Sequence, residues 1–492
     1  MKKRISDALD LLHQKMDDWS DYLLPAAVNE AKQMVNSKIF SSIFLLGIVF
    51  FLFVALYLFL VPTDESSGPY GFLFFSGIMD VGLILLIPSM LYQNMTNERS
   101  NGSFELMAIT SISPLKVVIG KWQTGLMQSI VFGSIVVPGL IFSYFFRGVP
   151  ISLIFVSLFL TLFASQFAIL AAIFFCSLGN IRASRIFLQF IGSGVYLIIM
   201  ILTINIKQEM VRDDAILNGI FSLEFGKALL FIVPFVITLE GFLVMISAGQ
   251  LSSYAANKST WPRILYSLLI LEIGLLPFFI DYNYDAIDFF IFTIFAHCLT
   301  TYFFFLEKDQ LSKKLYLNTI NTKSFVKKIF YKFFYPGKSS AYLLFVIQSC
   351  FLWYSFYFYL RNANLTAWGS QQLISVCFGS ILTYMSLIYL VLAVIHKFYL
   401  DAKITLMLFG SFFVTVIFFL VPVIFYYRFR LKSEFLVMNI FSHLNNHDAY
   451  KFHVALNLFI TSLVLIITLI IANILNNRKV ETYRNFIAGE RG

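Results

Sequence analysis

Three acidic residues, Asp80, Glu240 and Glu272, stand inside long apolar stretches of the chain. An ionised group at the depth of a bilayer costs several kcal/mol, so such a carboxylate faces a partner or a wetted cavity. Two roles follow for these intramembrane candidates: a substrate or proton pathway, or a polar contact that fixes helix packing. For Asp80 the two stand level. For Glu240 and Glu272 a polar group on a neighbouring helix is the simpler explanation. A second concentration of chemistry lies between Asn97 and Lys121, where Glu98, Arg99, Glu105, Lys116 and Lys121 fall among turn-forming and apolar residues. It is not a nucleotide site. Gly120-Lys121 is followed by Trp122 and lacks the upstream glycine of a phosphate loop, and no other stretch of the sequence supplies one. Metal chemistry is equally unsupported. Cys176, Cys298, Cys350 and Cys377 all lie in apolar stretches with no Cys-x-x-Cys pair, and His443 and His447 have no third ligand at metal spacing.

The elements that must position these residues are membrane spans. The 492 residues are 59% hydrophobic and 13% charged, against roughly 45–50% and about 25% for a soluble globular chain. Apolar runs recur at 40–61, 71–92, 122–146, 151–178, 186–206, 226–249, 264–280, 289–306, 341–360, 371–395, 404–426 and 453–475. Each is near the length of about 20 residues that crosses the hydrocarbon core. The expected fold is an all-α, polytopic transmembrane helical bundle of about twelve spans with both termini cytoplasmic. The basic start, Met1-Lys2-Lys3-Arg4, runs into a mixed charged segment and not into a signal-peptide core, so the first span is expected to act as the anchor.

Net charge is +9. Its distribution argues for topology and anionic lipid, not for nucleic acid. Lys308, Lys313, Lys314, Lys323, Lys327, Lys328, Lys332 and Lys338 fall in one loop, and Arg478, Lys479, Arg484 and Arg491 in the C-terminal tail. Both segments are on the side of the N-terminus. Asp64, Glu65, Asp281, Asp285 and Asp288 fall opposite. Arg428, Arg430 and Lys432 break the pattern and leave the span count around 396–452 open. Three regions result. Residues 1–39 read as amphipathic interfacial helices, since Ile5, Leu9, Leu12, Met16, Trp19 and Leu23 share a helical face. Residues 40–260 form a six-span half with a long loop at 93–121. Residues 261–492 form a second half with the basic loop 307–340, whose Phe325, Ile329, Phe330 and Phe333 alternate with lysines as in a segment lying on the inner leaflet.

The first loop is the most informative. Asn101-Gly102 is a turn, Phe104 to Ile109 is long enough for one or two helical turns, and Ser113-Pro114 is an N-cap followed by a proline at the first helical position. With Glu98, Gly102, Ser103, Glu105, Leu106, Ser113, Pro114, Gly120 and Lys121 in order, and with Pro25, Val28 and Glu30 upstream, the first 250 residues or so resemble the type-2 export family of ATP-binding-cassette (ABC) transporter permeases. The resemblance implies a coupling helix in this loop that docks on a separate nucleotide-binding ATPase subunit. Glu98, Arg99 and Glu105 would be charged contacts, Gly102 and Ser103 the turn before the helix, and Phe104 and Leu106 its buried anchor. Ser113, Pro114, Gly120 and Lys121 would start the next span. It also implies that ATP and Mg bind on that partner and that this chain is a transport subunit and not an enzyme; pairing with a second copy of itself or with a different permease stays open, and the abundance of Phe, Ile, Lys and Asn points to a bacterium and so to an inner membrane. The chain departs from the family in having about twice the usual six spans and a second long loop without the acidic-x-Gly-Ser pattern. Two other classes fit part of the sequence. Two six-span halves are also the architecture of an ion-coupled secondary transporter. Acids in the outer loops, Asp64-Glu65 and Asp281 to Asp285, are a weak mark of a polytopic glycosyltransferase.

Overall fold

The computed structural model describes residues 37–60, 67–101, 113–145, 149–179, 182–212, 223–252, 257–276 and 324–362, with short helical stretches within 293–305, 382–390 and 463–474. Among these residues the chain is helical, without strands. The helices are α1 (Lys38–Leu60), α2 (Ser67–Asp80), a π-helical turn (Val81–Leu86), α3 (Ile87–Ser100), α4 (Pro114–Phe145), α5 (Ile151–Leu178), α6 (Arg182–Arg212), α7 (Leu223–Leu251), α8 (Thr260–Leu275), α9 (Phe325–Phe334) and α10 (Lys338–Asn362). The segment from α2 through α3 is one continuous rod. Six of the described helices are long and apolar enough to cross a membrane: Gly68–Ser100, Pro114–Phe145, Ile151–Leu178, Ala183–Arg212, Leu230–Leu251 and Lys338–Tyr359. The protein is therefore an integral, multi-pass membrane protein with a helical bundle fold. The runs at 371–395 and 404–426, most of those at 289–306 and 453–475, the leader 1–36 and residues 307–323 lie largely or wholly outside the described residues.

The chain divides into two compact units, Met1–Leu230 with Glu240–Ser253, and Phe231–Leu239 with Tyr254–Gly492, so that α7 contributes to both. In the first unit α5 packs along α6 and α3, and α4 packs along α2 and α5. Small residues allow the close approach that membrane helices need in the absence of a hydrophobic driving force. A Cβ at Gly125 would stand 2.9 Å from Ile169, and one at Gly139 2.6 Å from Phe75. Some buried hydroxyls are satisfied along their own helices: Thr124 donates to the Gly120 carbonyl at 2.9 Å and Ser129 to that of Gly125 at 3.0 Å. Large side chains such as Phe155, Phe159 and Phe190 stand outward, which is ordinary for a surface solvated by lipid.

The π turn is packed closely against a neighbouring helix. The Ile87 N–H reaches back five residues to the Gly82 carbonyl, which is the π pattern. Gly82 lies under the Phe132 ring of α4, where a Cβ would come within 1.9 Å of Cε1. Only glycine fits there, and the widened turn sits directly after Asp80.

In the second unit α8, α9 and α10 pack on one another. Tyr266 of α8, His297 and Ser349 of α10 form a buried hydrogen-bonded chain, with His297 Nε2 3.1 Å from the Ser349 hydroxyl. Gln348 of α10 donates to Ser267 of α8 at 2.9 Å.

Candidate functional site

Among the described residues the first unit carries two charged clusters, one within the spans and one at the Ser100 end of the rod. The inner cluster is built on three helices. Asp80 ends α2, Thr161 lies in α5 and Lys207 in α6, and all three side chains are fully buried. Lys207 Nζ donates to Asp80 Oδ1 at 2.7 Å, to Oδ2 at 2.9 Å and to Thr161 Oγ1 at 2.6 Å. Thr161 passes its own proton on to Asp80 Oδ1 at 2.8 Å. The three donors of the ammonium are thus all used, and the carboxylate accepts three bonds. A neutral and fully bonded pair is the arrangement in which a buried charge is tolerated. It can tie three spans together, and it offers a protonatable site inside the bilayer.

Lys207 is the member of this cluster that the sequence does not announce. It follows the apolar run 186–206 immediately, where a lysine reads as the flank of a span. The structure carries α6 on to Arg212, so Lys207 is an interior residue of the helix. A lysine one residue beyond an apolar run, opposite an unexplained intramembrane acid, was the available signal.

The outer cluster fastens α3 to its neighbours. The sequence places Glu98 and Arg99 in a loop beginning at 93, whereas the helix continues through both to Ser100. Arg99 Nη1 donates to the carbonyls of Cys176 at 2.8 Å and Ser177 at 3.0 Å in the last turn of α5, where the Cys176 carbonyl also accepts the Gly179 N–H. Arg185 of α6 donates to the Thr96 carbonyl at 3.2 Å, and the Tyr92 hydroxyl donates to the Arg185 carbonyl at 2.6 Å. Gly179 leaves room for this arginine, since a Cβ there would approach Arg185 Cγ to 2.5 Å. Glu98 pairs with Lys121 of α4, whose Nζ lies 2.6 and 2.7 Å from the two carboxylate oxygens. The lysine is buried, while 30% of the Glu98 side chain remains exposed.

The ion pair joins the helices on either side of the connection that follows Ser100. Asn101 closes α3 with its N–H on the Asn97 carbonyl. At the other end the Ser113 hydroxyl accepts the Lys116 N–H at 3.4 Å, Pro114 is the first residue of α4, and Gly120 is buried within that helix. Gly102, Ser103, Phe104, Glu105 and Leu106 lie outside the described residues.

The remaining acids are not part of either cluster. Glu240 is half-buried on α7. Glu272 of α8 accepts a hydrogen bond from Thr238 at 3.0 Å. Among the described residues no group of three or more His, Cys, Asp or Glu side chains is placed to hold a metal ion. No protein-family model, no curated protein and no solved structure matches the chain.

Proposed function

We propose that the chain is the membrane permease subunit of an ABC exporter in a bacterial inner membrane, driven by a separate nucleotide-binding ATPase subunit that supplies ATP and Mg chemistry. The reading rests on the residue pattern from Glu98 to Lys121. The observation that carries it is the bracing of that segment: Glu98 and Lys121 tie its two flanking helices together, and Arg99 and Arg185 fasten α3 to α5 and α6. A short helix transmits displacement to a bundle only if its base is rigid. In this scheme Phe104, Glu105 and Leu106 meet the ATPase. Glu98 and Arg99 hold the base, and movement of the segment enters α3 and α4 together.

The test is purification of the tagged chain from its native host in mild detergent, with ATPase activity assayed on whatever accompanies it. The expected result is a stoichiometric ATPase that is lost when Phe104 and Glu105 are both changed to alanine. Absence of any ATPase, or retention of one regardless of that segment, overturns the reading.

One observation favours a second reading, an ion-coupled secondary transporter. Asp80, Thr161 and Lys207 form a charge-paired relay at span depth, and such groups commonly serve proton or ion pathways. Proton uptake by reconstituted protein, abolished by Asp80→Asn and independent of any ATPase, would put this reading first.

A further inference from the structure

We propose that α9 is a binding site for the anionic phospholipid headgroups of the leaflet beside it, with Arg263 and Thr260 as the positioning residues that fix it to α8 and α10. The proposal holds whatever the protein transports, since it uses only the chain's place in a membrane.

The sequence of α9 separates into two faces. Phe325, Ile329 and Phe333 follow one another at steps of four, and Val326, Phe330 and Phe334 form the adjoining row. Lys327, Lys328, Tyr331 and Lys332 occupy the opposite half of the circumference. No residue of α9 is buried; Phe325 is 75% and Val326 73% exposed, and the three lysines are exposed as well. Phe330 and Phe334 stack at 4.7 Å, which makes the apolar row a continuous aromatic ridge. A helix with one aromatic face and one lysine face lies in the headgroup region, rings toward the acyl chains and ammonium groups at the phosphates. The helix holds three lysines and no acid, so its charge complements an anionic leaflet.

The attachment of α9 places it at that depth. Only Tyr335, Pro336 and Gly337 separate it from α10, which is a span. A link this short reaches about 14 Å at full stretch. It is further shortened by a turn at Gly337, whose φ of 137° is a glycine conformation.

Arg263, fully buried in α8, gathers this link. Its Nη1 donates to the carbonyls of Phe333 at 3.2 Å and Tyr335 at 2.7 Å and to the Ser340 hydroxyl at 2.8 Å. Its Nη2 donates to the Gly337 carbonyl at 2.9 Å. Thr260 donates to the Phe334 carbonyl at 3.0 Å. The last carbonyls of α9 are therefore held by α8, and a lipid contact on α9 bears directly on α8 and α10.

The test is amide hydrogen exchange of residues 325–337 in the full chain, reconstituted in nanodiscs of phosphatidylcholine with and without phosphatidylglycerol. Exchange is expected to slow at least tenfold with phosphatidylglycerol. Each Lys→Gln change at 327, 328 or 332 should remove part of that effect, and the triple change all of it. Raising the salt to about 1 M, where the Debye length is about 3 Å, should remove most of it. Equal exchange in the two lipids overturns the proposal, as does a lipid effect that survives the triple Lys→Gln variant. Exchange of α10 monitors the fold of that variant. Arg263→Lys should speed exchange across 333–337 in both lipids; unchanged rates there overturn the positioning role.

Discussion

Lys207 in the first unit and Arg263 in the second are both completely buried cations, and their surroundings answer them differently. In the first, Lys207 meets a carboxylate and a hydroxyl, Asp80 and Thr161. In the second, Arg263 is ringed by three backbone carbonyls and a serine hydroxyl. The side chains suit their tasks. An ammonium is a compact point charge that one carboxylate can neutralise, whereas a guanidinium spreads its charge over a planar fork that can gather several carbonyls. The lysine, its carboxylate and the threonine link three separate helices through side chains alone. The arginine shapes one turn of backbone and holds it. The first arrangement ties helix to helix, and the second fixes a turn of backbone.

Removing one partner of the buried pair should have the largest effect. Lys207→Met leaves Asp80 uncompensated and is expected to cost about 3–5 kcal/mol, seen as a large fall in the thermal melting temperature in detergent. The double variant Asp80→Asn with Lys207→Met should recover most of it, because the desolvated charge is gone. A double variant no better than the single one would show that the pair contributes more than mutual neutralisation.

Arg263→Lys tests the other side of the comparison. A single ammonium cannot reach every acceptor of the fork, so a loss of about 2–3 kcal/mol is expected. A variant as stable as the parent would mean that charge alone holds the turn.

Thr161→Val keeps the shape and deletes one donor and one acceptor from the Lys207 network, which should cost about 1–2 kcal/mol. Glu98→Gln keeps a hydrogen-bond acceptor beside the buried Lys121 but removes its counter-charge, which should cost about 1–2 kcal/mol, less than at the fully buried pair because Glu98 is partly solvated. A loss at Glu98 as large as that at Lys207 would locate the weak point of the first unit at the end of α3.

Much of this molecule is legible in its sequence because bilayer chemistry leaves few options. Apolar runs become helices since every backbone donor must be satisfied within the segment, and α4 to α6 begin within about eight residues of the expected bounds. The start of α4 is marked by Ser113-Pro114, whose chemistry is local. Asp80 stands out because a carboxylate in an apolar run demands a partner. Its partner does not stand out, since Lys207 sits where an apolar run gives way to polar residues. Arg263 is hidden for the same reason, one residue ahead of the run at 264–280. Glu98 and Arg99 read as loop because hydropathy marks the bilayer and not the end of the helix, and α3 outlasts its apolar stretch. The π turn has no local sequence signature, and the ring that covers Gly82 within it, Phe132, lies in another helix.

That turn makes the rod from Gly68 to Ser100 a crankshaft. An α-helix advances roughly 100° about its axis per residue, and a π turn accommodates an extra residue within the winding. Asp80 lies on one side of this insertion, and Glu98 and Arg99 on the other. If the turn tightened to ordinary α winding, the two ends would rotate against each other by about that angle. Asp80 could not keep its bearing toward Lys207 while Arg99 kept its bearing toward the end of α5. One residue of slack thus sets the angular phase between the two charged clusters, and a single deletion within 81–86 would throw them out of step.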